Sequence, residues 1–479
     1  MQQEEQFRIE RDFLGEKRVP VDAYYGIQTL RAVENFPITG YRINPALIEG
    51  IAIVKKSAAE ANAATGQLDQ TIANVIIQAA DEIIQGQWHD AFLVDPIQGG
   101  AGTSVNMNAN EVIANRALEL LGKEKGDYAT ISPNSHVNMA QSTNDAFPTA
   151  IHIAVLTKVE TLLQTMDRLY VTFKRKAEEF DGYLKMGRTH LQDAVPIRLG
   201  QEFSAYARVF KRDIERIHES RKYMYDVNMG ATAVGTGLNA DPKYIEYVAE
   251  RLSANSGFQL RSAEHLVDAT QNTDGYVYIS GALRGCMVNM SKIANDLRLM
   301  SSGPRAGLAE ITLPPRQPGS SIMPGKVNPV MAEVMNQVAF QVMGNDQTIA
   351  LSSEAGQFEL NVMEPVLVFN LLQSIEIMTN VFNVFNDYCV DGIVANGETM
   401  QQYVDRSIGI VTAINPHVGY ETAAQVAQEA LQTGRSVRDI CAERGILTES
   451  ELDVILHPEE MTEPGISGAE LLTNAQRQR

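Results

Sequence analysis

Cysteine is scarce: the 479 residues hold three, Cys286, Cys389 and Cys441, far apart and two of them within apolar helical patterns. They read as reduced core thiols, which excludes a disulfide framework. Eight histidines form neither an HExxH pair nor a Cys/His cluster, so no metal and no other cofactor is expected. No run of eighteen or more apolar residues occurs, and a membrane span is not expected. The opening stretch MQQEEQFRIERDFLG is acidic and polar without an apolar signal region, which points to the cytoplasm. Positive charge is also short. Forty Lys and Arg stand against 59 Asp and Glu, a net charge of −19, which argues against nucleic acid and acidic membrane surfaces as partners. An anionic substrate would therefore need a locally positive pocket.

What is present is an ordinary globular composition, 44% hydrophobic and 21% charged, long enough for roughly two to four domains. Residues 7–45 mix short pieces with turn signals and are expected to form an irregular, packed entry segment. From Pro45 helical spacing begins: Ile48, Ile51, Val54, Ala58 and Ala61, then Ile72, Val75, Ile76, Ala79 and Ile83. The central part carries long apolar stripes, through Ile151–Phe173, Phe203–Ile217, Met287–Met300, Val330–Ile349 and Val366–Phe385. Several exceed the average helix of about 11 or 12 residues, which implies an all-α bundle of long helices whose wide apolar faces continue into a subunit interface. After Asn396-Gly397 the pattern shortens into a compact C-terminal helical region.

The most informative stretch is QPGSSIMPGKVNPV, Gln317–Val330, too rich in glycine, proline and polar residues to be core. It reads as a loop feeding a helix, with Asn328 as N-cap and Pro329 at the first helical position. Lys326 beside a helix N-terminus makes an anion site. It is not a P-loop, because five residues separate Gly319 from Gly325 and Val327 follows the lysine. Three other polar segments read the same way. Gln98–Gly122 places Thr103 and Ser104 before a helix; His136–Leu156 carries Ser142, Thr143, Asn144 and Asp145 ahead of Pro148; Lys185–Phe203 carries Thr189 and His190 ahead of Pro196. Four such ends converging on one cleft could hold a small dicarboxylate, although four unrelated helix caps would look the same in sequence. The GTGLNA run at Gly235–Ala240 formally matches a dinucleotide fingerprint, but no strand pattern precedes it.

Three of these stretches, STNDAFPTA at Ser142–Ala150, GRTHLQDAVP at Gly187–Pro196 and GSSIMPGKVNP at Gly319–Pro329, make the chain resemble the fumarase/aspartase superfamily. The likeness runs end to end. Ser142-Thr143-Asn144-Asp145, the GGAGTS run at Gly99–Ser104 and GQFELNVMEPV at Gly356–Val366 resemble the ammonia-lyase branch rather than the fumarases. One small departure is Ala332, where relatives often have proline.

The resemblance implies three domains, 1–142 mostly helical, 143–396 a central long-helix bundle carrying the GSSIMPGKVNP loop, and 397–479 a small C-terminal helical domain. It also implies a homotetramer whose active sites are shared between subunits, converting L-aspartate to fumarate and ammonia. Carried over residue by residue, Ser320 is the general base. Thr103, Ser142, Thr143 and Ser321 surround the side-chain carboxylate. Lys326, Asn328 and Thr189 hold the α-carboxylate; Thr103, Asn144 and His190 contact the amino group, and Glu333 pairs with His190. From the residues alone Ser320 is an unexpected base, because a serine is protonated at neutral pH; its alkoxide would need neighbouring N–H groups and a closed loop. The same motifs would suit a fumarate hydratase, or a non-catalytic oligomeric scaffold of the same fold.

Overall fold

In the computed structural model, which describes residues 6–472, the chain opens on an antiparallel hairpin, β1 (Phe7–Asp12) and β2 (Gly15–Pro20), and a short helix, α1 (Ile27–Asn35). This corrects the irregular segment expected at 7–45. The reason is a partner remote in sequence. Buried Glu111 accepts the backbone N–H groups of Gly26, Gln28 and Thr29 at 2.8, 2.8 and 3.0 Å, and Glu10 accepts that of Ile27 at 2.8 Å. These two carboxylates satisfy the open N-terminal donors of α1, which has no side-chain cap of its own.

The helices expected from spacing follow as α2 (Pro45–Ala64), α3 (Gln70–Ile84) and α4 (Thr103–Leu120). Asn44 and Asp69 cap the first two by accepting backbone N–H groups, and Pro45 sits in the first turn where no hydrogen bond is lost. Next come α5 (Thr143–Glu179), the hairpin β3 (Leu184–Thr189) and β4 (Gln192–Arg198), and α6 (Leu199–Ser220). The connection to the third long stretch holds β5 (Asp226–Val227), α7 (Pro242–Ser256), β6 (Arg261–Ser262) and α8 (Leu266–Gln271). Then come α9 (Asp274–Met300), β7 (Ile311–Thr312), α10 (Val330–Glu354) and α11 (Glu364–Tyr388). After β8 (Val394–Ala395) the helices are short, α12 (Gly397–Arg406), α13 (Val411–Val418), α14 (Tyr420–Thr433), α15 (Val437–Glu443), α16 (Glu449–Ile455) and α17 (Pro458–Thr462). The protein is all-α, its described strands paired only into two-stranded ribbons.

Two compact units emerge. One takes residues through Gln164 with Asp213–Met287 and Val338–Asn380; the other takes Thr165–Arg212, Val288–Gln337 and residues from Val381 on. Every division falls inside one of the five long helices. In the first unit α2 packs on α3 and α7, burying Ile51, Val54, Ile76 and Tyr244. The second has an aromatic centre, with Phe210 meeting Phe173 and Phe382 edge-on at 6.0 and 5.5 Å and Phe203 meeting Phe180 at 5.0 Å. It also contains a separate small core of Leu184, Val404, Ile414, Val426, Ile440 and Leu452, built mostly by the short helices that follow β8.

The α5 and α11 segments are apolar enough by composition to cross a bilayer, yet 72% and 61% of their most apolar windows are buried within the protein. All three cysteines are free and buried, and burial pushes the Cys389 thiol up to about 12. The glycines of the GTGLNA run serve packing. Gly235 has φ +92°, and a Cβ there would lie 2.3 Å from Val267 Cα in α8. Asp241 caps α7 by accepting the N–H of Lys243 at 2.8 Å.

Candidate active site

The predicted residues fall into both units. Thr103, Ser142, Thr143 and Asn144 belong to the first; Thr189, His190, Ser320, Ser321, Lys326, Asn328 and Glu333 belong to the second.

In the first unit, Thr103 opens α4 after a glycine turn in which Gly102 has φ +90° and a Cβ would strike the Phe147 ring at 2.3 Å. The exposed Thr103 hydroxyl donates to Gly100 O at 2.6 Å. The α5 helix begins at Thr143, ahead of the expected start at Pro148. A proline at that point leaves the carbonyl of Asn144 without its helical donor, and the Asn228 side chain supplies one at 3.0 Å. Ser142 Oγ accepts the Asn144 backbone N–H at 3.2 Å, while Asp145 Oδ1 accepts the Ser142 N–H at 2.9 Å. Asp145 Oδ2 takes the N–H groups of Gly230 and Thr232 at 3.1 and 2.9 Å, tying the helix start to that loop. Burial raises the Asp145 carboxyl to about 6, against the pull of those backbone N–H groups. The Asn144 amide N–H donates to Ala233 O at 2.7 Å, which leaves its Oδ1 as an acceptor. Thr143 Oγ1 accepts from Asn106 Nδ2 at 3.1 Å.

In the second unit, Thr189 and His190 do not precede a helix. They lie at the tip of the β3–β4 hairpin, with His190 and Leu191 at φ +54° and +60° as its two-residue turn, and Pro196 lies within β4. Two left-handed residues give the turn whose twist matches the strands, so the tip holds a shape that local sequence did not advertise. Arg188 anchors the hairpin by donating to the fully buried Glu310 at 2.7 Å, and Ser407 donates to Asp193 at 3.1 Å.

The loop before α10 closes on itself. Gly319 N–H donates to Lys326 O at 2.7 Å and Asn328 Nδ2 donates to Gly319 O at 2.9 Å. Asn328 therefore braces the loop and does not cap α10, which starts at Val330 directly after Pro329. Ser320 Oγ accepts two backbone N–H groups, from Ile322 at 3.2 Å and Met323 at 3.0 Å. Ser320 and Lys326 line one cavity of about 350 Å³; Ser321 is exposed beside it. The segment from Pro315 to Val327 contains Arg316 and Lys326 and no carboxylate, a local positive charge in an acidic chain. The expected pairing of His190 with Glu333 is not formed within the chain: among the described residues neither makes an ion pair or side-chain hydrogen bond.

Sequence reading missed Lys55, Asn106, Asn138 and Gln141, which stand behind Thr143. A signal existed for Lys55, which occupies an apolar position on the stripe of Ile51, Val54 and Ala58.

An all-α chain of long helices with polar helix starts, an anion loop and a serine held by backbone amides has the build of a lyase. The family model described as "Lyase" matches residues 15–344, and that of the fumarase C C-terminus matches 410–463. The chain is 70% identical to an aspartate ammonia-lyase of Bacillus sp over 96% of its length and 98% of that protein's. It is 67% identical to the aspartate ammonia-lyase of Bacillus subtilis (strain 168), over 98% and 99%. Among solved structures it resembles a fumarate lyase:delta crystallin from Brucella melitensis, 49% identical, with a TM-score of 0.94 over 96% of this chain and 100% of that one. A class II fumarase from Schistosoma mansoni, 35% identical, gives a TM-score of 0.92 over the same shares. The chain belongs to the aspartate ammonia-lyase branch of the fumarase/aspartase superfamily.

Proposed function

We propose that the chain deaminates L-aspartate reversibly to fumarate and ammonia, with Ser320 as the base that removes the Cβ proton. The electron pair left by that proton moves onto the neighbouring carboxylate as a dianionic enediolate. Its collapse forms the double bond, breaks the C–N bond on the opposite face and releases ammonia. The observation that carries the reading is Ser320 Oγ accepting the N–H groups of Ile322 and Met323, because two amide dipoles aimed at one hydroxyl oxygen favour its alkoxide.

The hydroxyls divide the remaining work. Ser142 and Thr143 accept from the protein and keep their hydrogens for a carboxylate whose charge is growing, and Ser321 is assigned to the same group. Thr103 gives its hydrogen to Gly100 and Asn144 gives an amide hydrogen to Ala233, so both offer acceptor oxygens to a substrate ammonium, alongside His190. Lys326, with Asn328 and Thr189, holds the α-carboxylate. Assembly into a homotetramer, each site drawing on more than one subunit and Glu333 meeting His190 of another, fits the apolar side chains left exposed on the long helices, Val288 of α9 and Phe340 and Leu351 of α10.

The test offers L-aspartate and L-malate in separate cuvettes and follows fumarate by ultraviolet absorbance. Aspartate alone gives signal; signal from malate alone would make the chain a hydratase. In Ser320→Ala the aspartate signal falls by at least about 10²-fold while circular dichroism and assembly stay unchanged. Near-normal turnover in that variant would remove Ser320 as the base.

A further inference from the structure

Lys55 of α2 has no exposed surface. Its Nζ donates to three amide oxygens, Asn106 Oδ1 at 2.6 Å, Gln141 Oε1 at 2.8 Å and Asn138 Oδ1 at 2.9 Å. Three acceptors match the three N–H groups of an ammonium, whereas a neutral amine would turn its lone pair on one of the oxygens. Burial pulls the lysine down to about 7, and the Asp145 carboxylate acts against that pull.

The consequence lies in the direction of the amides. Each of the three turns its oxygen to Lys55 and therefore its NH₂ away. Gln141 Nε2 donates to the carbonyls of Val137 and Met139 at 3.0 and 3.1 Å. Asn106 Nδ2 donates to Asn138 Oδ1 at 3.2 Å and to Thr143 Oγ1 at 3.1 Å. Receiving that hydrogen, Thr143 Oγ1 leaves its own free, and among the described residues no acceptor takes it. Without the ammonium, Asn106 would lose the 2.6 Å bond to its oxygen, and only the longer 3.2 Å bond to Asn138 Oδ1 would favour this orientation. Turned over, it would offer Oδ1 to Thr143, draw the hydroxyl hydrogen inward and remove a donor from the ligand.

We propose that Lys55 is a positioning residue for the elimination, fixing through Asn106 the direction in which Thr143 donates to the substrate's side-chain carboxylate. The proposal rests on the reading of Thr143 as a ligand of that carboxylate. Because the negative charge there peaks in the enediolate, a misdirected hydroxyl lowers kcat more than it raises KM.

The experiment is a pair of double-mutant cycles on the assembled enzyme, Lys55→Met with Thr143→Ala and Asn106→Asp with Thr143→Ala. The aspartate variant keeps the size of residue 106 and its contact with Lys55, but it can only accept from Thr143, so it serves if Lys55→Met fails to fold. Each single variant lowers kcat/KM about tenfold or more, mostly in kcat. In the Thr143→Ala background the further loss shrinks to less than about twofold, because the hydroxyl that was directed is gone. A purely structural or long-range charge effect would persist undiminished in that background and overturn the proposal. Wild-type kcat/KM in Asn106→Asp would overturn it too. Wild-type kcat/KM in Thr143→Ala would instead remove Thr143 from the substrate, and the proposal with it.

Discussion

A serine or threonine hydroxyl carries one hydrogen, so each contact it makes inside the protein decides what it can offer a ligand. Ser142, Thr143 and Ser320 all accept from the protein, whereas Thr103 donates. This division was not legible in the sequence, where the four are alike. Their positions were legible, because each lies in a short polar run whose composition fits no core. Lys55 was half legible: a lysine on an apolar stripe is anomalous, but its three amide partners come from two other segments. Glu364, the first residue of α11, is a second buried charge-bearing group with an acid–base consequence. Its side chain is buried, Oε2 has no hydrogen-bond partner among the described residues, and burial raises the carboxyl from 4.5 to about 8. The folded protein thus holds a proton that the unfolded chain releases near 4.5. The stabilisation is complete below that value and is lost as pH rises toward 8, at no more than about 1.4 kcal/mol per pH unit. Glu364→Gln carries no such proton. Urea melts at pH 5 and pH 8 should show the variant gaining stability relative to the parent at the higher pH; a constant difference would mean that Glu364 titrates normally.

At the scale of elements, periodicity found the long helices because their partners impose a 3.6-residue pattern on many consecutive residues. It missed the β1–β2 hairpin, whose strands pair with each other, and the β3–β4 hairpin, which Glu310 anchors through Arg188 from far along the chain. The loop at Gln317–Val330 was recognised by composition, yet its closure follows from a close approach that composition does not show. A Cβ on Gly319 would lie 2.8 Å from Lys326 O and 2.9 Å from the Asn328 nitrogen, backbone atoms that cannot swing aside. Gly319→Ala must therefore open the loop and break the Gly319–Lys326 hydrogen bond, displacing Ser320 from the Ile322 and Met323 amides. Catalysis should fall by about 10²-fold, the cost of misplacing a reacting group by an ångström or so. The melting temperature should move little, since residues 321–327 are exposed and support no core. A large drop in melting temperature with kcat retained in the folded fraction would show that the glycine serves the fold.

At the scale of the whole molecule, the proposed reading leaves the chemistry of a single chain incomplete. His190 and Glu333 form no ion pair or side-chain hydrogen bond with each other, and Phe340 and Leu351 of α10 stand 62% and 59% exposed. A monomer would carry these apolar side chains in water, whereas the proposed assembly would cover them and bring other subunits' residues to each site. Sharing of this kind has a consequence that a self-contained site lacks. Ser320→Ala and Thr143→Ala each impair a site, but on the proposed reading the two residues reach that site from different subunits. Unfolding the two impaired variants together and reassembling them should then build some sites from an intact Ser320 on one subunit and an intact Thr143 on another. Random mixing of equal amounts makes that roughly a quarter of the sites. Fumarate production by the mixture at several times the average of the two variants treated alone is the expected result. If both residues of a site came from one chain, every site would keep one lesion, and the mixture would be no more active than that average.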